Sequence, residues 1–550
     1  MSRITRPLGA TAAVIAASLV LMGCSSAEPS GEGAAAGEPV VGGTLQYLEH
    51  QAHTSLYPPA GGFYPNGGIL NNITDRLVYQ NPETLEFEPW LAESWESNDD
   101  ATEYTFHLRD DVTFSDGTPL DAQVVADNFD LYGLGDQDRA LTVSEAINNY
   151  DSSEVVDDST VVFRFSAPSP GFLQATSTIN SGIVAESTLE LDLEGYGPGN
   201  SDAVVGTGPF TVGDEEIGAS LTLDAREDYA WAPESWDNQG RPYVDAVQIT
   251  VTPEDSVRVG ALLAGQADVI RYVEAQDEPQ LAVDGFSIYA PQTNGVNNSL
   301  SLRFRNPLLE DIRVRQALLA GIDRQEVVDT IYTDNYPLAT SVLSSTALGY
   351  LDESDALGFD PERAEELLDE AGWTVGSDGI REKDGERLTL VVNEAAPQPR
   401  SFEALTLISQ QLAKVGVDLQ ILKADAGSYA EAILDADQVQ LYHSMVGRAD
   451  LDVIKSQYYS SNRNTLLNWD SSDDSIGDAK LEELLEAVST EADPDKRVEA
   501  SQAVQRYLIE QAYVIPLFEE PQVYGASDAV HGLGFESVAR PSFAQTWVQR

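Results

Sequence analysis

Cysteine is almost absent from this sequence, which contains a single one, Cys24, among 550 residues. One thiol cannot form an intramolecular disulfide, so disulfide bridges do not hold the fold together. This thiol also lies at the end of an apolar segment near the N-terminus, away from the body of the chain. We therefore expect neither a disulfide framework nor thiolate chemistry.

Basic residues are also scarce: 31 Lys and Arg stand against 91 Asp and Glu, which gives a formal net charge of -60. Nucleic-acid binding depends on neutralising phosphates with Lys and Arg, so the composition excludes that class of function. It excludes a purely electrostatic attachment to anionic lipid for the same reason. The acidic residues predict a solvated surface suited to salty or alkaline surroundings.

Long apolar runs are confined to the N-terminus, where residues 8–22 are almost entirely apolar or small and follow Arg3 and Arg6. A bilayer-spanning helix needs about 20 apolar residues, so this run is too short for one. A basic start, an apolar centre and small residues are typical of a signal peptide, which we assign to residues 1–23. Residues 24–42 are small and polar, with Gly and Pro, and predict a flexible tether.

Cys24 follows Leu21, Met22 and Gly23, and this stretch resembles a bacterial lipobox. The resemblance implies cleavage before Cys24, lipidation of its thiol and a diacylglycerol anchor. The alternative is an ordinary secretory signal with an incidental cysteine. Acyl chains hold a protein at a membrane through about 0.8 kcal/mol per buried methylene.

The rest of the chain is too long for one compact core, so we expect two or more lobes. A strand pattern at residues 247–251 is followed by a helical pattern at 254–263 and a second strand pattern at 268–270, which indicates a βαβ unit. The most regular helix begins at Asp360 and Pro361 and ends before Gly372. These patterns predict an α/β chain with two large lobes.

Six short stretches form a set in order and spacing: residues 90–95 (WLAESW), 104–110 (YTFHLRD), 112–120 (VTFSDGTPL), 206–210 (GTGPF), 311–317 (DIRVRQA) and 360–364 (DPERA). Together they resemble the extracytoplasmic solute-binding proteins of family 5, which serve ABC importers of the dipeptide, oligopeptide and nickel class. The resemblance extends from about residue 43 to the C-terminus.

The resemblance implies a two-lobed Venus-flytrap fold of the class II, or cluster C, type with an extra inserted subdomain. The implied segments are lobe I at 43–290 with the insertion at about 82–200, lobe II at 291–505, and a return to lobe I at 506–550. A solute would bind between the lobes, which close by hinge motion and present it to membrane permease subunits. The implied protein is a monomer without cofactor on the extracytoplasmic face of the cell membrane, or in the periplasmic space where an outer membrane is present.

The resemblance also points to two loops as the walls of the solute site. The first is the loop at residues 48–68, in which Tyr64 and Asn66 are candidate wall contacts. The second follows the strand near Tyr442, which is itself a candidate solute contact. Peptide-binding relatives place an aspartate there to pair with the α-amine of the peptide, and two alignments are possible. One places Asp450 at that position, and the other places Arg448 there, which prefers a carboxylate or a similar anion.

The solute itself stays open between a peptide, a peptide-like amino compound, a metal chelate and an organic acid. His50, His53 and His443 are candidate metal ligands because imidazole suits nickel, but loop histidines are more often polar surface. The sequence contains no Gly-x-Ser-x-Gly, His-Glu-x-x-His or Gly-rich phosphate-binding motif, so we expect a binding protein rather than an enzyme. A secreted hydrolase and a receptor or chaperone without import are the alternatives from other classes.

Overall fold

The computed structural model describes residues 38–395, 398–423, 431–460, 465–470 and 475–550. Cys24, the predicted signal peptide and most of the predicted tether lie outside these residues. Residues Pro39–Arg550 form one compact unit. No helix in the described part of the chain has the length and apolar character needed to cross a membrane.

The described α-helices are mostly short. They are α1 Tyr64–Ile73, α2 Ala122–Leu134, α3 Phe172–Ala175, α4 Glu186–Leu189, α5 Asp255–Leu263, α6 Glu278–Leu281, α7 Ile312–Gly321, α8 Arg324–Ile331, α9 Pro361–Glu370, α10 Ser401–Lys414, α11 Val453–Tyr458, α12 Ala479–Thr490 and α13 Pro494–Glu510. Single turns of 3-10 helix occupy Pro58–Ala60, Ile179–Ser181, Ser201–Ala203 and Ser354–Ala356.

The described strands are β1 Thr44–Glu49, β2 Val78–Gln80, β3 Phe87–Pro89, β4 Ala92–Ser97, β5 Glu103–Leu108, β6 Tyr150–Asp157, β7 Thr160–Phe165, β8 Phe210–Glu216, β9 Ser220–Ala225, β10 Ala246–Val251, β11 Val269–Arg271, β12 Phe286–Tyr289, β13 Gly295–Leu302, β14 Thr374–Val375, β15 Arg381–Lys383, β16 Glu386–Arg387, β17 Thr389–Asn393, β18 Asp418–Leu422, β19 Leu441–Gly447, β20 Trp469–Asp470, β21 Ser475–Ile476, β22 Val514–Phe518, β23 Tyr524–Ser527, β24 Val530–His531, β25 Gly534–Phe535, β26 Pro541–Ser542 and β27 Trp547–Val548.

A seven-stranded sheet with the order β12-β23-β11-β1-β10-β9-β8 forms the centre of the first lobe. Strand β1 pairs in parallel with both β10 and β11. Leu45, Tyr47 and Glu49 are buried while the residues between them are half-buried. This two-residue period is what the sequence of β1 predicts for a strand with one face on the core.

A five-stranded sheet with the order β18-β17-β19-β13-β22 forms the centre of the second lobe. All eight residues of β13 are buried, as expected for a central strand that is covered on both faces. Helix α9 begins as its sequence predicts, with the Asp360 side chain accepting from the Arg363 N–H and Pro361 at the start. Its buried residues Ala364, Leu367 and Leu368 belong to the core of this lobe.

The predicted two-lobed α/β fold is confirmed by these two sheets and by the solved structures reported below. A separate four-stranded antiparallel sheet, β4-β5-β7-β6, lies within the segment predicted as an insertion. The return to the first lobe comes later than residue 506, because the buried apolar strand β22 pairs with β13 in the second sheet. The chain rejoins the first sheet at β23.

The chain passes between the two sheets twice, through residues 290–294 and 519–523, and these two crossover segments pair with each other. Gln292 and Pro521 form an antiparallel bridge. The Thr293 N–H donates to the Glu520 carbonyl at 3.0 Å, and the Gln522 N–H donates to the Pro291 carbonyl at 3.0 Å. The lobes are thus joined by a short two-stranded connection that suits a hinge.

The side chain of Glu520 is buried inside this hinge. Its Oε2 accepts a hydrogen bond from Nδ2 of Asn298, on β13, at 2.5 Å. Arg271, on β11, donates from Nη2 to Oε1 of the neighbouring Gln522 at 2.9 Å. Burial raises the pKa of Glu520 to about 7, although Asn298 and the charge of Arg271 act in the opposite direction.

The substitution Glu520→Gln tests the burial of this carboxyl group. An unfolded chain ionises Glu520 near its ordinary pKa of 4.5, whereas the folded protein keeps it protonated up to about pH 7. The unfolding free energy of the wild type therefore falls as pH rises from about 4.5 to about 7. Relative to the wild type, the unfolding free energy of Glu520→Gln increases by about 3 kcal/mol over this range. Urea unfolding at several pH values measures the difference. An equal pH dependence in both proteins contradicts the assignment, and the exposed Glu83→Gln controls for the lost charge.

Candidate functional site

A cavity of about 600 Å³ lies between segments of both lobes. The end of β19 and the segment after it contribute from the second lobe. The start of α1, the inserted segment and the C-terminal segment contribute from the first. The lining residues are Pro59, Ala60, Gly62, Tyr64, Thr142, Val143, Glu145, Ala146, Gln174, Thr178, Ile179, Asn180, Met445, Val446, Gly447, Arg448, Ala449, Glu536, Ser537, Val538 and Arg540.

Tyr64, a predicted wall contact, lines the cavity from a helix rather than from a loop, because α1 begins at this residue with Pro65 in its first turn. Its hydroxyl donates to the Val538 carbonyl at 2.8 Å. The ring contacts two guanidinium groups, those of Arg271 and Arg540, each 4.7 Å from the ring centroid. Burial raises the pKa of the Tyr64 phenol, which therefore stays a neutral donor.

Asn66 does not line the cavity. It is 2% exposed, and its Oδ1 accepts from the Thr54 N–H at 2.8 Å while its Nδ2 donates to the Ala60 carbonyl at 3.1 Å. The amide therefore satisfies the main chain of the preceding loop and fixes that loop on α1. This arrangement favours a role in shaping the wall that Tyr64 presents, rather than in touching a solute.

Arg448 and Asp450, the two alternatives for the anchor position, form a pair directly after β19. The Arg448 N–H donates to the Asn294 carbonyl of the hinge at 2.8 Å, and the side chain lines the cavity. Its Nε lies 2.9 Å from Oδ2 of Asp450, at an angle unfavourable for a hydrogen bond, so the contact is an ion pair. Asp450 is 5% exposed and is not among the lining residues.

A second ion pair lies beside the first, with Nη2 of Arg497 2.8 Å from Oδ1 of Asp452. Burial raises the pKa of Asp450, the charge of Asp452 adds to this effect, and Arg448 opposes it. Nη2 of Arg448 is buried and has no hydrogen-bond partner among the described residues. Arg448 is thus the member of this charged group that lines the cavity.

The C-terminal segment supplies a wall that sequence reasoning missed. Arg540 is 4% exposed, and it donates from Nη1 to Oε1 of Glu536 at 3.2 Å and from Nη2 to the Gly62 carbonyl at 3.0 Å. Its Nε is buried without a partner in the described part of the structure. The only signal for this wall was the implied return of the C-terminal segment to lobe I. No local pattern singles out Arg540, Glu536 or Glu145.

Among the described residues, one edge of β19 has no strand partner where it borders the cavity. Strand β17 pairs with β19 only at Leu441. Beyond that point, the Asn393 side chain bonds both the N–H and the carbonyl of His443, at 2.8 and 3.1 Å. Because strand residues alternate in direction, the N–H and carbonyl of Met445 face the same edge as those of His443. Met445 to Gly447 line the cavity, so this edge offers main-chain hydrogen bonds to a bound molecule.

His50 and His53 are engaged by neighbours within the first lobe. Nδ1 of His50 lies 2.8 Å from Oε1 of Glu49. Nε2 of His53 lies 3.0 Å from Oγ of Ser201. Burial lowers the pKa of both imidazoles. Neither side chain lines the 600 Å³ cavity.

His443 and Tyr442, on β19, also lie outside the cavity lining. Nδ1 of His443 is 2.9 Å from Oγ of Ser401, and burial lowers the pKa of this imidazole to about 4. The Tyr442 ring lies 5.3 Å from the guanidinium of Arg303. Within the described ranges, no group of three or more His, Cys, Asp and Glu side chains is arranged to hold a metal ion.

The cavity between two lobes and the sequence motifs are consistent with the protein family whose model matches this sequence. The family model described as "Bacterial extracellular solute-binding proteins, family 5 Middle" matches residues 86–465, which is more than half of the chain. The chain belongs to this family.

Relatives of this family 5 protein are named for different solutes. It is 27% identical to heme-binding protein A of Haemophilus influenzae over 439 residues, which cover 74% of this chain and 76% of that protein. It is 26% identical to the dipeptide-binding protein of Escherichia coli over 385 residues, which cover 66% of this chain and 68% of that protein. Its fold is similar to that of the oligopeptide-binding protein AppA from Bacillus subtilis, solved with a nonapeptide, at a TM-score of 0.72 and 19% identity over 93% of this chain and all of that one.

The family, the two-lobed α/β fold and the function as an extracytoplasmic solute-binding component of the ABC-importer type are therefore confirmed for this solute-binding protein. The relatives are named as binding proteins rather than as enzymes. The individual solute contacts, the lipid anchor and the solute stay predictions.

The Arg448–Asp450 pair predicts an asymmetric response to substitution. Arg448→Met leaves the carboxyl of Asp450 buried without its cation, and we expect the unfolding free energy to fall by about 3–5 kcal/mol. Asp450→Asn costs less, because Arg448 lines the cavity and is more exposed than Asp450. The double variant recovers most of the loss of Arg448→Met, since neither member of this pair is then left as a buried charge without its partner. Urea unfolding of the wild type, the two single variants and the double variant gives the four free energies of this double-mutant cycle. If the losses of the two single variants add up to the loss of the double variant, the pairing is contradicted.

Proposed function

We propose that this protein captures a short peptide or a peptide-like solute in the 600 Å³ cavity and delivers it to the permease of an ABC importer. The observation that carries the proposal is the open edge of β19, with the main chain of Met445 beside the cavity. An extended main chain can add to such an edge as a further strand. The volume lies within the range of about 300–1,000 Å³ usual for small-molecule sites.

Charge supports a solute that carries both signs. Arg448 and Arg540 line the cavity, and so do Glu145 and Glu536. Guanidinium groups at the cavity wall suit a carboxylate through charge-assisted hydrogen bonds. The acidic side chains suit an ammonium group. Arg448 lines the cavity and Asp450 does not, which favours Arg448 as the anchor.

A non-peptide solute is the second candidate, because two arginines in the cavity wall also fit an organic anion. Such a molecule would not need the main-chain hydrogen bonds at the β19 edge. Direct metal binding has less support, since His50, His53 and His443 each have other neighbours and lie outside the cavity. An enzymatic role has no support from the named relatives.

The anchor and the partners complete the proposal. Cys24 is lipidated at the extracytoplasmic face of the cell membrane, and residues 24–42 tether the two-lobed body to it as a monomer. The lobes close on the solute through the paired crossover segments, and the closed form is recognised by the permease. Binding and lobe closure, without chemistry or cofactor, account for transport.

Native mass spectrometry of the Cys24→Ser protein, purified without denaturant, identifies the retained solute. We expect a family of masses that match short peptides, because main-chain hydrogen bonds do not discriminate between side chains. A single non-peptide mass contradicts the peptide assignment and supports the organic-anion candidate.

The Arg448 anchor is tested by titrating the wild type and Arg448→Met with one of the retained peptides, in its free and its C-terminally amidated form. The preference for the free form should be present in the wild type and absent in Arg448→Met. Loss of a charge-assisted hydrogen bond predicts an affinity lower by about 10- to 100-fold for the amidated form. Isothermal titration calorimetry measures both affinities. The substitution Arg363→Met, at an exposed arginine of α9, controls for the general loss of a positive charge. Equal affinities for the two forms assign the anchor elsewhere.

Lipidation of Cys24 is tested by metabolic labelling of a bacterial host with a radioactive fatty acid. We expect label in the wild-type protein and none in Cys24→Ser, because Cys24 is the only cysteine of the chain. The variant should also leave the membrane fraction, since acyl chains supply the membrane affinity. Membrane retention of an unlabelled wild type contradicts the anchor.

A further inference from the structure

The hairpin formed by β2 and β3 reaches from the first lobe to the segment that carries the proposed anchor. Val78 of this hairpin belongs to the core of the first lobe. Gln80 is 4% exposed, and its Nε2 donates to the Ala449 carbonyl at 3.1 Å and to the Leu85 carbonyl at 3.3 Å. Ala449 lies between Arg448 and Asp450, so this hydrogen bond connects the hairpin to the charged pair.

A small apolar cluster surrounds the same point. Leu85, Ala449 and Val538 are buried against one another, and Leu348 of the second lobe packs on them. Leu85 adopts φ +57°, a left-handed conformation that is unfavourable for a leucine. The contact with Ala449 offsets that cost, because it removes the leucine side chain from water.

The inserted segment contacts the second lobe beside the hairpin. Gln174 donates to Oε1 of Gln80 at 3.4 Å. Gly171 has φ −79°, which suits any residue, yet an added Cβ would overlap the Asp452 carboxylate. The close approach to Asp452 is therefore what requires a glycine here. Two parts of the first lobe thus enclose residues 449–452 of the second.

We propose that the β2–β3 hairpin is a positioning element that holds the two lobes closed, with Gln80 and Leu85 fixing Ala449 between the two charged residues of the proposed anchor. Gln80 and Leu85 do not line the cavity, so they act without touching the solute. The importance of residues 449–452 for solute binding rests on the proposed function. The closing contact itself does not depend on it.

This arrangement predicts that substitutions in the hairpin change the fraction of closed protein without changing the residues that contact the solute. If the solute binds the closed form, a smaller closed fraction weakens the apparent affinity in proportion. The contact is therefore measured best without any solute, by the distance between the lobes.

Pulsed electron–electron spin resonance between two spin labels reports this distance. The full chain with Cys24→Ser contains no cysteine, so labels attach only to introduced ones. Gln137→Cys, in the insertion, and Glu499→Cys, on α13, are exposed positions in the two lobes. We expect one dominant short distance in the otherwise unchanged protein.

Three substitutions test the contact of the first lobe with residues 449–452, two in the hairpin and one in the neighbouring inserted segment. Leu85→Asn keeps a residue that tolerates the left-handed conformation and removes the apolar contact. Gln80→Met keeps the length of the side chain and removes the donor. Gly171→Ala removes nothing and adds a methyl group against Asp452. Each should raise the population at longer distances by about fivefold or more. Leu85→Met, which keeps an apolar side chain at this position, should show the same short distance as the protein without these substitutions.

Glu83→Ala, at an exposed position of the same hairpin, is the matched control and should leave the distances unchanged. Distances that stay the same in Leu85→Asn, Gln80→Met and Gly171→Ala overturn the proposal, as does a wild type already at the longer distance. Because Gly171→Ala deletes no contact, it remains informative if Leu85→Asn does not fold. A failure here leaves peptide capture intact, since no solute enters the measurement.

Discussion

The paired crossover segments at the hinge are the constraint on which the other features of this structure depend. They fix the two lobes through the Thr293–Glu520 and Gln522–Pro291 main-chain bonds, and they also continue into the cavity. The carbonyl of Asn294 accepts the Arg448 N–H, while the Asn294 side chain donates to the Ser537 carbonyl at 2.6 Å. The hinge thus holds a wall from each lobe, and a rotation at the hinge changes the distance between those walls.

The charge of the cavity differs from the charge of the chain as a whole. The sequence carries three acidic residues for every basic one, whereas the cavity is lined by two arginines and two glutamates. Each of these arginines is itself held beside a carboxylate, Asp450 or Glu536. Such pairing limits the desolvation cost of a buried charge and leaves part of each guanidinium available. An acidic surface therefore coexists with a cavity that accepts anionic groups.

Local sequence patterns predicted the elements of the fold, and tertiary contacts decided most of the site. The alternation in β1 and the capping residues of α9 are local, so the sequence reveals them. Tyr64 was recognised as a wall residue, yet its helix was missed because Pro65 and the surrounding glycines read as a loop. Asn66 is a polar residue used for main-chain bonds, which only the folded loop shows. Arg540 reaches Tyr64 across more than 470 residues, a contact that no local pattern encodes.

The same three consecutive residues, 448–450, affect both the solute preference and the contact between the lobes. Arg448 and Asp450 set the charge of one wall, and Ala449 between them receives the Gln80 hydrogen bond and the Leu85 side chain. A substitution that changes the charge preference at this wall therefore also changes the contact between the lobes. Glu145 and Glu536 line the cavity from the first lobe and are not themselves members of the cluster of Leu85, Ala449 and Val538. New solute preferences are thus reached with less effect on closure through these glutamates than through Arg448 and Asp450.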